Sequence, residues 1–227
     1  AGAAKFRNAG QVCISPTRFS TGFSWSAAYV YTSNKEQVRG FQSTAGDPRL
    51  IEWTRAGFDT RHQISYNLGY NFFDAVRVNW SGSFRSGNPY TPGVSGDVNG
   101  DGYGNDRAFI FDPASGTTTP AVASAMTALL ASTDGAAADC LRAQMGRIAG
   151  RNSCQAPWIQ TAVLSLSLNP VKFHLPQRAT VSLAVSNPLG AADLLLHGED
   201  GIKGWGQART PETTLLYVRG FDAGTQR

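Results

Sequence analysis

The chain has 227 residues, 41% of them hydrophobic and only 16% charged, which is enough to bury a core as one domain or two. Its net charge of +4 raises the question of nucleic acid, yet Arg39, Arg55, Arg61, Arg77, Arg85, Arg107 and Arg178 stand singly, without a basic run among aromatics, so no nucleic-acid partner is expected. No apolar run reaches the roughly 18 residues of a membrane helix, which says nothing against membrane strands of about ten half-polar residues.

The first nineteen residues stand outside the pattern that follows and are expected to form a separate arm (1–19) ahead of a domain at 20–227. Within them Lys5 to Phe19 reads K-F-R-N-A-G-Q-V-C-I-S-P-T-R-F. This resembles the segment around the catalytic cysteine of aldehyde dehydrogenases, with Cys13 at the nucleophile position. The resemblance implies a thiolate that attacks an aldehyde and a hemithioacetal that passes hydride to a nicotinamide. The chain offers no Gly-rich dinucleotide turn after it and no general base beside it in sequence, so a free Cys on an added arm, buried or merely exposed, is the competing expectation.

From Gly22 the residues alternate. Phe23, Trp25, Ala27, Tyr29 and Tyr31 share one face of a strand over Gly22–Thr32, against Ser24, Ser26, Ala28 and Thr32. A long connection rich in turn and charged residues follows to Thr60. A second strand over Arg61–Phe72 sets Ile64, Tyr66, Leu68, Tyr70 and Phe72 against Ser65, Asn67, Gly69 and Asn71. Only Phe73, Asp74 and Ala75 separate it from a third over Val76–Arg85, which predicts a hairpin. After a very long connection, Ser86–Trp158, strands recur around Leu164–Leu168 and Thr180–Ser186 with a short turn between them. A loop from Asn187 to Pro211 leads to a last strand, Thr213–Phe221. Asp193, Glu199 and Asp200 fall in that loop and are expected to be solvated. The reading is an all-β, antiparallel up-and-down meander of about six strands. Alternation alone suits a soluble sandwich or a membrane barrel equally, whereas short turns alternating with long loops suit the barrel. Within the longest loop, Ala121–Leu130 and the Leu141, Met145, Ile148 spacing predict a short helical insert.

Four loop segments extend the argument: G-N-P-Y-T-P-G at Gly87–Gly93, D-V-N-G-D-G-Y-G-N-D-R-A-F at Asp97–Phe109, the pair Cys140 and Cys154, and N-P-L-G with the later G-W-G-Q and L-L-Y-V-R-G-F-D. Together they resemble the C-terminal barrel of TonB-dependent outer-membrane receptors of the Oar-like group, over roughly Ser20–Arg227. The resemblance implies a fragment of a bacterial outer-membrane receptor or transporter. Its partners would be membrane lipid, a plug, the remaining barrel strands and a periplasmic energy-coupling protein. Six strands are fewer than the about eight of the smallest closed barrel, so transport by this chain alone is not expected.

Two constellations remain. Asp97, Asn99 and Asp101, with Tyr103 next in the alternation and Asp106 beyond, match the first half of a calcium loop, although Ala108 stands where a bidentate Glu belongs. The competing reading is an Asx/Gly turn. Outside the cytoplasm Cys140 and Cys154 would form a disulfide, leaving Cys13 free. His62, His174 and His197 show no metal-ligand spacing.

Overall fold

The computed structural model describes residues 5–15, 22–39, 51–133, 135–209 and 211–217. In chain order β1 is Lys5–Ile14, β2 Phe23–Arg39, β3 Ile51–Arg55, β4 His62–Phe72 and β5 Val76–Arg85. The long connection holds the short strands β6 (Pro89–Tyr90), β7 (Gly93–Ser95) and β8 (Phe109–Ile110), helices α1 (Pro120–Ser132) and α2 (Gly135–Arg142), and strands β9 (Arg147–Ile148) and β10 (Cys154–Gln155). Then come β11 (Ile159–Leu168), β12 (Val181–Ser186), α3 (Pro188–His197) and β13 (Thr214–Tyr217).

Strands β1, β2, β4, β5, β11 and β12 pair in that order, each neighbour antiparallel, and β3 folds back on the far part of β2. The predicted meander is therefore present, as an open sheet not closed into a barrel. Segment Lys5–Ile14, expected as an arm, is a strand of this sheet, paired with β2 along its whole length. Residues 16–19 of the dehydrogenase-like stretch lie outside the described residues. The β4–β5 hairpin closes on Phe73 and Asp74, both at positive φ, and Ala75 N–H donates to the Phe72 carbonyl. That primed geometry matches the right-handed twist of the flanking strands. This turn and the β11–β12 connection lie at one end of the sheet. The connections at 56–61, 86–158 and 187–213 all lie at the other, the loop end.

The register lines the large apolar residues up on one face. Tyr29 stands opposite Ile64 and Ile64 opposite Phe84; Trp25 opposite Leu68, Leu68 opposite Trp80, Trp80 opposite Leu164 and Leu164 opposite Val185. Val12 and Ile14 join from β1. The other face carries Ser26, Asn67 and Ser81, and further along Ser65, Ser83 and Thr161. No second layer packs on the apolar face among the described residues: Phe23, Leu68, Tyr70, Phe72 and Leu183 are all exposed.

The buried cluster lies instead in a cap at the loop end. Ala108, Ile110, Met126, Leu141 and Ala149 form it, with Val94, Phe111, Leu129, Leu215 and Leu216 packed around. Burial of each large member contributes about 1.5–3 kcal/mol, so the cap carries the hydrophobic stabilisation that a soluble sheet would keep on its own face.

Four expectations are corrected. Among the described residues three α-helices replace the single insert. The Leu141–Ile148 stretch stops being helical after Arg142, because Gly146 takes a positive φ of 75° and its N–H turns to the Ile110 carbonyl. The loop after β12 contains α3, started by Asn187, whose side chain accepts the Gly190 N–H, and by Pro188 in the first turn. The last strand leaves the meander: Thr214–Tyr217 lies parallel to β7, because Leu215 and Leu216 are drawn into the cap cluster; residues 218–221 of that predicted strand are outside the described residues.

Gly82 of β5 stands between Tyr66 of β4 and Ala162 of β11. A Cβ there would collide with the Thr161 carbonyl and the Tyr66 ring. Gly82→Ala is expected to cost about 1–3 kcal/mol of stability through overpacking, read as a lowered denaturant midpoint.

Candidate functional site

Charges are scarce in the strands, and several of them sit where the cap meets the polar face. Even-numbered residues of β2 point to that face, so Glu36 does too, and the β2–β3 register brings Glu52 of β3 alongside. Arg151 Nη2 meets Glu36 at 3.1 Å and Arg107 Nη2 meets Glu52 at 3.1 Å, both arginines nearly buried. The cap is thereby tied over the polar face. Beside it the fully buried Asp59 accepts from Arg55 Nε at 3.0 Å, Arg61 Nε at 3.3 Å and the Asn34 N–H at 2.7 Å. Asn152 of the cap completes the joint by donating to the Arg55 carbonyl at 2.6 Å. None of these acidic residues is marked by a motif, and each stands within a few residues of a basic one, Lys35, Arg55 or Arg61, so the sequence does not single them out.

The small residues of the polar face leave two shallow hollows. One, of about 450 Å³, is lined by Ser24, Ser26, Asn67, Asn71, Arg77 and Asn79. The other, of about 520 Å³, holds Cys13 among Ser26, Ala28, Ser65, Asn67 and Ser81. Cys13 is exposed, pairs across to Ala28 and accepts from Gln11 Nε2 at 3.0 Å. No carboxylate, histidine or lysine lines this hollow among the described residues. The thiol is brought next to amides and hydroxyls, which can position a ligand but are poor proton acceptors.

The Asp97–Asp106 loop turns its oxygens onto its own backbone. Asp97 accepts from Gly100, Asp101 and Gly102 N–H groups, Asn99 from Asp101, and Asp101 from Tyr103. Asp106 reaches back to Val98 at 2.6 Å and Asn99 at 3.2 Å. This is the Asx-turn arrangement. Among the described residues no three acidic, histidine or cysteine side chains come together as a metal-holding group.

Cys140 and Cys154 are bridged, with Cα atoms 5.5 Å apart. The bond ties the end of α2 to β10, which in turn pairs with β6. Gln144 fills the enclosed loop, donating to the Cys140 carbonyl at 3.1 Å and accepting the Gly150 N–H at 2.7 Å.

Asp193, expected to be solvated, is buried on α3. Its carboxylate accepts the backbone N–H groups of Lys203 at 3.0 Å, Gly204 at 2.6 Å and Trp205 at 2.9 Å, and meets His197 Nδ1 at 2.8 Å. Burial alone would raise its pKa, but the N–H groups of Lys203, Trp205 and Gly204 and the His197 ring outweigh it and hold the carboxyl at about 2, below the ordinary 3.8.

No family model, no curated protein and no solved structure matches the chain.

Two predictions follow from this geometry. Thiol titration of the denatured, unreduced chain should find one reactive thiol, Cys13, and reduction should expose the other two and lower stability by about 3 kcal/mol in the loop-entropy account. Because the folded pKa of Asp193 is depressed, its contribution is complete above 3.8 and is lost as pH falls towards 2. The amide resonances of Lys203, Gly204 and Trp205 should accordingly titrate together near pH 2, and Asp193→Asn should abolish that titration.

Proposed function

We propose that this chain is part of the transmembrane wall of an outer-membrane receptor barrel of the TonB-dependent type, its apolar face towards lipid and its polar face towards the lumen. The observation that carries this reading is the uncovered apolar face running across β1, β2, β4, β5, β11 and β12, with the buried cluster displaced into the cap. In water such a face would be a large interaction or aggregation surface; against acyl chains it needs no cover.

Three details support the same reading. Rings gather at both ends of the apolar face, with Tyr29, Tyr31, His62 and Trp158 at the loop end and Tyr70 packed edge-on against Phe72 at 4.5 Å at the turn end. Aromatic girdles of this kind suit the two water–lipid boundaries. Between them Trp80 Nε1 donates to the Tyr66 hydroxyl at 3.2 Å, so these two polar tips satisfy each other where water would be absent. The span also fits. The eleven residues of β4, at ~3.4 Å per residue, run roughly 34 Å; tilted by about 40°, they cross about 26 Å, close to the ~25 Å apolar band of such barrels.

Six strands form only a portion of such a wall, since closed barrels have about eight or more. The remaining strands, a plug and a periplasmic energy-coupling protein are the partners of this reading. Ligand uptake or surface binding is the work, with the serine- and asparagine-lined hollows on the lumen side.

The adjacent positions 67 and 68 separate the two faces. In lipid vesicles Leu68→Arg should cost about 2–4 kcal/mol, whereas Asn67→Arg should cost little. Denaturant unfolding in vesicles measures both. A neutral Leu68→Arg, as expected of an exposed leucine in water, would overturn the lipid assignment.

A further inference from the structure

Helix α3 carries a second exposed apolar surface, independent of the strands. Leu195 is 85% exposed, Leu196 70% and Leu194 45%, on a helix that is well anchored at both ends. Asn187 caps its start, and the Gly198 N–H bonds the Leu194 carbonyl at its end. Three adjacent leucines held in an ordered helix facing water forgo the transfer free energy their side chains would gain in an apolar medium.

The helix's charge has been withdrawn from its surface. Asp193, the one acidic residue of α3, is turned inward onto the Lys203, Gly204 and Trp205 amides, and His197 is engaged with it and packed edge-on against Trp205 at 5.2 Å. Glu199, Asp200 and Lys203 follow directly and are exposed. An uncharged leucine surface thus gives way abruptly to a charged turn.

Placement supplies the remaining argument. The helix leaves β12 towards the loop end, and the Asn187 N–H donates to the Ala162 carbonyl of β11. That lies only a few residues from Trp158 and the ring group at the same end of the apolar face.

We propose that α3 is an interfacial helix at the lipid boundary on the loop side. Leu194, Leu195 and Leu196 dip into the outer ends of the acyl chains, and Glu199, Asp200 and Lys203 stand among headgroups and water. The inference rests on the lipid-facing reading of the sheet. Lipid is favoured over a protein partner because the helix starts at the loop end of the same sheet, four residues along β11 from Trp158, and its leucines stop at a charged turn, as an interfacial anchor does. The depth is shallow, since the helix begins beside the end of the strands.

The test uses the full chain in a Cys13→Ser background, reconstituted in phosphatidylcholine vesicles. A fluorophore is placed at Leu195→Cys, at Leu183→Cys on the apolar face of β12, or at Ser115→Cys in the cap, and retention of the strand signal in circular dichroism checks the fold of each. Nitroxide lipids carrying the spin label near the headgroup or near the chain end act as quenchers. The expected result is loss of most emission at 195 with the shallow quencher and little with the deep one, quenching at 183, and none at 115. Quenching at 183 without quenching at 195 would overturn the interfacial helix and leave the sheet's reading standing. Absence of quenching at both would overturn both.

Discussion

Period-two alternation carried through β2, β4, β5, β11 and β12 in a single register is the constraint on which the rest of the molecule depends. Each of these five strands sends most of its large apolar residues to one side and its small polar ones to the other, and antiparallel pairing keeps them in phase. A one-residue slip between β4 and β5 would place serines among the aromatics and leave Trp80 and Tyr66 without each other. Cross-strand pairs and ladder hydrogen bonds therefore hold the sheet, while the apolar face has no protein layer packed on it.

That arrangement explains why the cap is built as it is. A segment placed over the polar face cannot gain much from apolar contact with it, so it brings its own buried cluster around Ile110, Met126 and Leu141 and its own disulfide. Attachment then falls to ion pairs. Glu36 with Arg151 and Glu52 with Arg107 join residues more than fifty positions apart, and Asp59 binds two arginines and a backbone N–H within the sheet margin. Loss of one partner from the more buried pairs, Glu36 with Arg151 and Asp59 with Arg55, leaves an uncompensated charge, which costs about 3–5 kcal/mol, far more than a surface bridge would. The polar face is thereby partly covered at the loop end, and the apolar face stays free.

Asp193 applies the same logic on a smaller scale. A buried carboxylate is tolerated where several N–H groups point at it, and here those groups come from a turn ten to twelve residues downstream. The turn is pinned to the helix, and the helix surface is left to its leucines. In both the sheet and α3, polar groups are satisfied inside the protein while large apolar side chains are presented outside. That division is the common ground of the wall reading and of the interfacial helix.

The sequence by itself determined the elements whose physics is local. Alternation placed β4, β5, β11 and β12, and the two-residue turn at Phe73 and Asp74 made β4 and β5 a hairpin, because strand period and turn length act within a few residues. The alanine-rich run located α1, and two cysteines on one long loop located the bridge. Tertiary structure decided what depends on distant partners. Residues Lys5–Ile14 lack sustained alternation, and only the exposed edge of β2 made them a strand. Leu215 and Leu216 read as one more meander strand, yet they pack in the cap beside a strand more than a hundred residues earlier, because burial there outweighs continuing the sheet. Asp193 read as solvated because its hydrogen-bond donors are backbone amides, which every residue but proline carries, so residue identity gives no sign of where they converge.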